Sequence, residues 1–237
     1  MNWLSGMTRP EISFYVCQLS TIINTATISD LIAVNKVIKF AKNNPGYIKF
    51  SRLNIEGLSI KGFSDASWNN LPDGGSQGGQ IVLLGDNRGY VSPIYWSSTR
   101  LRRIARSSMA AESLSVMDGC DSAQFISKLL QEILHLKNEI PIIAVTDSND
   151  LFSTSSTTKL VTDRRLRVEV SAIRQLMESE EIELVWVDSS RQLVDVLTKK
   201  GAPSQNMMRT VQTGVIHPKN ATSERRSCGN RVNVGSQ

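Results

Sequence analysis

The sequence predicts an α/β fold in which a mixed five-stranded sheet is flanked by helices and preceded by a small helical segment. Three observations point to it. Three consecutive strand-like segments lie between Leu58 and Ser98, helical and strand-like stretches then alternate from Met109 to Lys199, and two of the strands deliver an aspartate at their carboxyl ends.

Taken in order, Ile12 to Leu19 and Ile28 to Phe40 space their apolar residues three and four apart, as helices do, and Pro45-Gly46 breaks the run. Leu58, Ile60 and Phe63 begin a strand that ends at Ser64-Asp65. A second strand, Gly79 to Leu84, follows a glycine-rich turn, and Asp86-Asn87-Arg88-Gly89 has hairpin-loop chemistry before a third, Tyr90 to Ser98. Ser107-Ser108 caps a long helix from Met109 to about Leu136, with Gly119 marking a bend. Pro141 to Thr146 is continuously apolar, the pattern of a strand buried on both faces, and runs into Asp147. Ser153 to Thr158 reads as a loop, Leu166 to Met177 as an amphipathic helix, Ile182 to Val187 as the last strand and Val194 to Lys199 as a helical turn. Beyond Gly201 periodicity is lost. These elements divide the chain into a helical segment over residues 1–54, a main domain over 55–201 and an extension over 202–237 that is disordered from about residue 216.

Composition narrows the classes of function. A chain of 237 residues with 40% hydrophobic content holds one well-cored domain plus appendages. Its longest strongly apolar stretch, Ile140 to Val145, is far too short to cross a bilayer, and the amino terminus lacks a basic-then-apolar secretory pattern, so an intracellular protein of cytoplasm or nucleus, without a membrane partner, is expected. Cys17, Cys120 and Cys228 have no paired spacing for zinc or disulfides and are read as reduced structural residues. The net charge of +5 is concentrated in Arg100, Arg102, Arg103 and Arg106, and again in Arg164, Arg165 and Arg167. Local basic clusters beside acidic strand ends suit a polyanion, and the first four arginines are candidate phosphate contacts. Trp68 and Trp96 are read as core aromatics.

Four acidic residues are candidates for chemistry. If the first and fourth strands lie side by side and parallel, Asp65 and Asp147 meet at their carboxyl ends. Glu112 lies in the first turns of the long helix, which packs through Ala111, Leu114 and Met117, and Asp195 approaches from its own turn. Carboxylates crowded in this way repel one another unless a cation neutralises them. All-oxygen ligands select Mg²⁺ or Mn²⁺, and a pair of such ions about 4 Å apart suits phosphodiester hydrolysis.

Gly62-Phe63-Ser64-Asp65-Ala66-Ser67-Trp68 resembles the opening motif of the ribonuclease H domain of copia-type retrotransposon Pol polyproteins. Tyr95-Trp96-Ser97-Ser98 and Ala105-Arg106-Ser107-Ser108-Met109-Ala110-Ala111-Glu112 are similar to that family's third strand and the entry to its catalytic helix. Thr146-Asp147-Ser148 and Gln192-Leu193-Val194-Asp195-Val196-Leu197-Thr198-Lys199 are similar to its third and closing motifs. Upstream, Leu4 to Ser13 resembles the helical region that follows the reverse-transcriptase core, so the likeness covers roughly residues 1 to 214.

The resemblance implies a ribonuclease H-like domain at residues 55–201, preceded by a thumb- or connection-like segment over residues 1–54. It also implies cleavage of the RNA strand of RNA/DNA hybrids, with Asp65, Glu112, Asp147 and Asp195 as catalytic residues holding two Mg²⁺ or Mn²⁺ ions. The implied partners are the hybrid and the polymerase domain of the same element. The sequence departs from the pattern at Glu11, Thr146, Ser148 and Val194, and Asp163-Arg164-Arg165-Leu166-Arg167 stands where the family often carries a lysine–histidine pair. The alternative reading is a catalytically inactive fragment that binds nucleic acid or tethers a polymerase.

Overall fold

The computed structural model describes residues 1–158, 160–216 and 226–227. Three helices come first: α1 (Asn2–Met7), α2 (Ser13–Thr21) and α3 (Ile28–Asn43). Thr27 and Asp30 cap the start of α3 reciprocally, each side chain bonding to the other's main chain, which satisfies two amide groups that a helix start leaves open. The three expected antiparallel strands follow as β1 (Ser59–Ser67), β2 (Gln77–Gly85) and β3 (Val91–Arg100). Next come α4 (Ser108–Ile133), β4 (Ile142–Thr146), α5 (Asn149–Ser155), α6 (Arg164–Glu178) and β5 (Glu183–Trp186). The turn α7 (Asp195–Thr198), the helix α8 (Gln205–Thr213) and a two-residue strand β6 (Arg226–Ser227) close the described chain. Among the described residues no helix is long and apolar enough to cross a membrane.

The sheet runs β3-β2-β1-β4-β5-β6. β1 to β3 form an antiparallel meander, while β1 pairs with β4, and β4 with β5, in parallel. This is the mixed sheet expected from the sequence, with β6 added antiparallel on β5. Expected disorder from about residue 216 concerns residues that, Ile216, Arg226 and Ser227 apart, lie outside the described ones.

Two apolar layers cover the sheet. On one face Ile60, Val82, Ala144 and Leu184 pack under α4, α5 and α6 through Val116, Ala123, Leu151, Phe152, Val170 and Ile173. On the other face Phe63, Ile81, Leu83 and Val145 meet Leu193, Val194 and Leu197 around α7, and Met207 and Val211 of α8. That second layer corrects the sequence reading by one helix, α8, in the stretch beyond Gly201 where periodicity is lost. Only two large apolar side chains of α8 are buried, enough to dock a short helix but too few to register as a period. A second correction concerns the expected loop at Ser153–Thr158, because its first three residues finish α5. The Ser148 hydroxyl accepts the Leu151 amide (3.3 Å) and starts that helix, and its buried Leu151 and Phe152 outweigh the modest helix propensity of the serines and threonines.

Two glycines set how closely the layers approach. α4 runs unbroken through Gly119, where a Cβ would stand 2.2 Å from Ser64 Oγ on β1, so the residue serves close helix–strand contact. At Gly79 of β2 a Cβ would lie 2.7 Å from Thr198 Cγ2 and 2.8 Å from Leu197 Cβ, which seats α7 directly against the sheet. Gly79→Ala should therefore cost about 1–3 kcal/mol in urea unfolding by forcing α7 outward. A substitution that leaves the midpoint unchanged would mean that α7 has room to spare.

Candidate metal centre

The parallel register of β1 and β4 brings the first two carboxylates together. Phe63 stands opposite Val145, and two residues on in the chain from each come Asp65, within β1, and Asp147, just past the end of β4. Both strands end at the same edge, so the two side chains leave the sheet side by side. Glu112 arrives from α4. The Ser107 hydroxyl caps that helix by accepting the Ala110 amide (3.2 Å), and Ala111 and Leu114 pack against Ala66 and Leu101 beside the end of β1. Ser115, one turn on, donates its hydroxyl to the Asp65 carbonyl (2.7 Å) and so ties the helix to the strand at the site itself.

One carboxylate oxygen from each of Asp65, Glu112 and Asp147 lies within 4.8 Å of the others. Asp65 is 1% exposed. One of its oxygens accepts the Thr198 hydroxyl, and Lys199 Nζ stands 3.3 Å from that oxygen. Asp147 accepts the Ser189 hydroxyl (2.8 Å) and, at longer range, the Gln192 amide (3.4 Å), while its carbonyl accepts the Trp186 indole N–H (3.0 Å). Gln192 also donates to the Ser64 carbonyl (3.0 Å), bridging β1 to the segment after β5. Glu112 is partly buried as a residue, yet its Oε2 is enclosed without a hydrogen-bond partner.

Asp195, the fourth expected member, stands apart from that triad. It begins α7 and is joined to the site through Lys199, whose ammonium bonds its carboxylate and approaches Asp65. The electrostatics follow from this crowding. Burial, then the charges of Asp65 and Asp147, push the Glu112 carboxyl up to about 9. Burial likewise raises Asp65, against the opposing influence of Lys199 and the Thr198 hydroxyl. For Lys199, burial works against the charge, but Asp65 and Asp195 outweigh it and raise its pKa.

The donor set suits a hard divalent cation: carboxylate oxygens alone, one of them a buried acceptor with nothing donating to it. Sequence reasoning did not single out Thr198, Lys199, Ser115, Ser189 or Gln192 as parts of this arrangement. Only Lys199 carried a usable signal, its position four residues after Asp195 on a helical turn.

The four candidate phosphate-binding arginines divide. Arg100 is ion-paired with Asp73, and Arg103 with Glu169 of α6, whereas Arg102 and Arg106 form no ion pair among the described residues. Arg103 and Arg106 line a groove of about 580 Å³ between the β3–α4 loop and α6, together with Arg165 and the apolar Ile104, Leu166 and Val168. Trp96 is 7% exposed, as expected of a core aromatic, and donates to the Ser5 carbonyl (2.7 Å), fastening α1 to β3. Trp68 is not core. It is 46% exposed, and its indole N–H, donating to the Ala105 carbonyl (3.0 Å), ties the end of β1 to the loop before α4.

No family model matches the chain. The retrovirus-related Pol polyprotein from transposon RE1 of Arabidopsis thaliana is 29% identical over 195 residues, which are 82% of this chain and 13% of that protein. The corresponding polyprotein from transposon RE2 of the same plant is 28% identical over 214 residues, 89% of this chain and 14% of the relative. The chain thus spans only about a seventh of the length of these relatives. Similar solved structures include LC11-RNase H1 isolated from compost, at 15% identity and TM-score 0.44 over 59% of this chain and 92% of that one. The protease-reverse transcriptase of prototype foamy virus is similar at 12% identity and TM-score 0.31, over 69% of this chain and 25% of that one. In sequence the chain is thus similar to the retrovirus-related Pol polyproteins of these transposons, and its own strand order is that of a mixed sheet flanked by helices.

Proposed function

We propose that the chain hydrolyses the RNA strand of RNA/DNA hybrids in a divalent-metal-dependent reaction, as part of a retrotransposon's reverse-transcription machinery. The observation that carries this reading is the meeting of Asp65, Glu112 and Asp147 within 4.8 Å at one end of the sheet, with a buried Glu112 oxygen left unpartnered. Those three residues would hold Mg²⁺ or Mn²⁺, with Asp195 serving a second ion beside Asp65. Bound there, two hard cations supply activation of a water and stabilisation of the leaving oxygen in phosphodiester cleavage.

The chain's own residues prepare that role. Thr198 fixes the rotamer of Asp65, and Ser189 and Gln192 fix that of Asp147, so the ligand oxygens are oriented before any substrate arrives. Arg102 and Arg106, not committed to ion pairs, are the candidates for backbone phosphates. Selectivity for a hybrid would then rest on groove shape and 2′-hydroxyls, with weak sequence preference. Residues 1–54 would act as the thumb- or connection-like segment and residues 55–201 as the hydrolase domain. A second reading, a tether to a polymerase partner, has its own support: none of the residues of α3 is buried, and Ile28 is 78% exposed on it.

A labelled RNA/DNA hybrid should be cut by the full chain only when Mg²⁺ or Mn²⁺ is added. Asp65→Asn should lower the rate by at least about a thousandfold with hybrid affinity largely kept; binding without cleavage in the unaltered chain would favour the tether. Replacing Arg102 and Arg106 by alanine should flatten the dependence of binding on log salt by about two phosphate contacts.

The titration of Glu112 supplies a further test. Its carboxyl holds a proton in the metal-free folded chain up to about 9 but loses it near 4.5, the ordinary value for a glutamate, when unfolded. The folded state therefore binds the extra proton between those limits, and stability of the metal-free chain falls as pH rises through that window. Melting followed by circular dichroism should show this decline, a larger Mg²⁺-induced gain at about pH 8.5 than at about pH 6, and a clear weakening of both trends in Glu112→Gln, where the raised carboxyl of Asp65 alone remains. A metal-induced gain independent of pH would contradict it.

A further inference from the structure

The ammonium of Lys199 touches two carboxylates at once. It bonds Asp195 and lies 3.3 Å from Asp65 Oδ2, while its own backbone amide donates to the Asp195 carbonyl (2.9 Å) across the single turn of α7. That turn is held from both sides. Val196 and Leu197 are buried in the apolar layer, Gly79 lets them sit against β2, and Thr198 bonds the same Asp65 oxygen that Lys199 approaches. The lysine is thus delivered to the gap between Asp65 and Asp195 by packed structure, and its side chain, 44% exposed, has an open path outward. On the far side of Asp65, among the described residues, no basic side chain forms an ion pair with Glu112 or Asp147, although the charge of Lys199 is felt at both from a distance.

From this asymmetry, and resting on the metal-dependent reading above, we infer that Lys199 is a resident cation competing with one of the two metal ions. It holds the Asp65–Asp195 position until an ion displaces it, and leaves the Asp65–Glu112–Asp147 position free to fill first. Two positive charges cannot share one pair of carboxylates at a few ångströms without strong repulsion, so an ion held by Asp65 and Asp195 would require the ammonium to withdraw. The consequence is a pair of unequal affinities, with the weaker set by a side chain that is not itself a ligand. Lys199 is on this account a positioning residue. It neutralises the carboxylates in the metal-free chain and sets the metal concentration at which the second ion enters.

The test is Mn²⁺ binding to the full chain, followed by electron paramagnetic resonance of free Mn²⁺ and by calorimetry, without substrate. The unaltered chain should take one ion tightly and a second weakly. In Lys199→Met and Lys199→Gln the second ion should bind at least about tenfold more tightly, while the metal-free protein melts at a lower temperature. Lys199→Arg, which keeps the charge, should retain the weak second site. Equal affinities in all four proteins, or weaker binding in the neutral variants, would overturn the role of Lys199 and leave the carboxylate centre standing. Absence of Mn²⁺ binding in every protein would overturn both. A second ion that is detected only in the neutral variants would support the competition directly.

Discussion

The structure turns on the mutual repulsion of carboxylates that the fold forces into one place. Parallel pairing of β1 with β4 puts Asp65 and Asp147 at one edge, and the packing of α4 over β1 adds Glu112. Each constraint comes from apolar contacts formed elsewhere, in the layers beneath α4 and α7, and the acidic cluster is held against its own electrostatics by that packing. Burial first, and then the neighbouring carboxylates, raise the carboxyls of Glu112 and Asp65.

Relief comes from a few short-range devices. Thr198 and Lys199 supply a donor and a cation to Asp65 from a four-residue turn that the missing side chain of Gly79 allows to sit close. Ser189 and Gln192 steady Asp147 from the segment after β5, and Gln192 reaches back to β1. Glu112 receives the least: its Oε2 has no donor, so on that side the charge is left for something outside the chain to balance. An ammonium on one flank and an unmet acceptor on the other give the site a direction.

Much of this was readable in the residues, for identifiable reasons. Strands that are buried on both faces, such as Ile142–Thr146, announce themselves as apolar runs, and an aspartate immediately after one is conspicuous. The adjacency of β1 and β4 entered the sequence reading only as a condition for Asp65 to meet Asp147, and the parallel pairing of the two strands meets that condition. Asp195 was read as a fourth member of the carboxylate cluster, whereas it stands apart from the triad and is joined to it through Lys199, a pairing that the four-residue spacing across α7 offered. Trp68 misled because aromatic character beside a strand says nothing about which strand end is open. Helix α8 was missed because two buried side chains suffice to dock nine residues against an existing layer, and α5 because a serine cap and two buried apolar residues override a polar stretch. The arginines were legible as a charge cluster, but Asp73 and Glu169, remote in sequence, claim two of them.

The most direct measurement is anomalous diffraction at the manganese edge from crystals of the full chain grown or soaked with Mn²⁺. The account requires a peak coordinated by oxygens of Asp65, Glu112 and Asp147, in crystals whose Asp65→Asn counterpart lacks it. A well-ordered structure in ample Mn²⁺ with no peak among those three carboxylates, or with Glu112 turned away from Asp65 and Asp147, would contradict it.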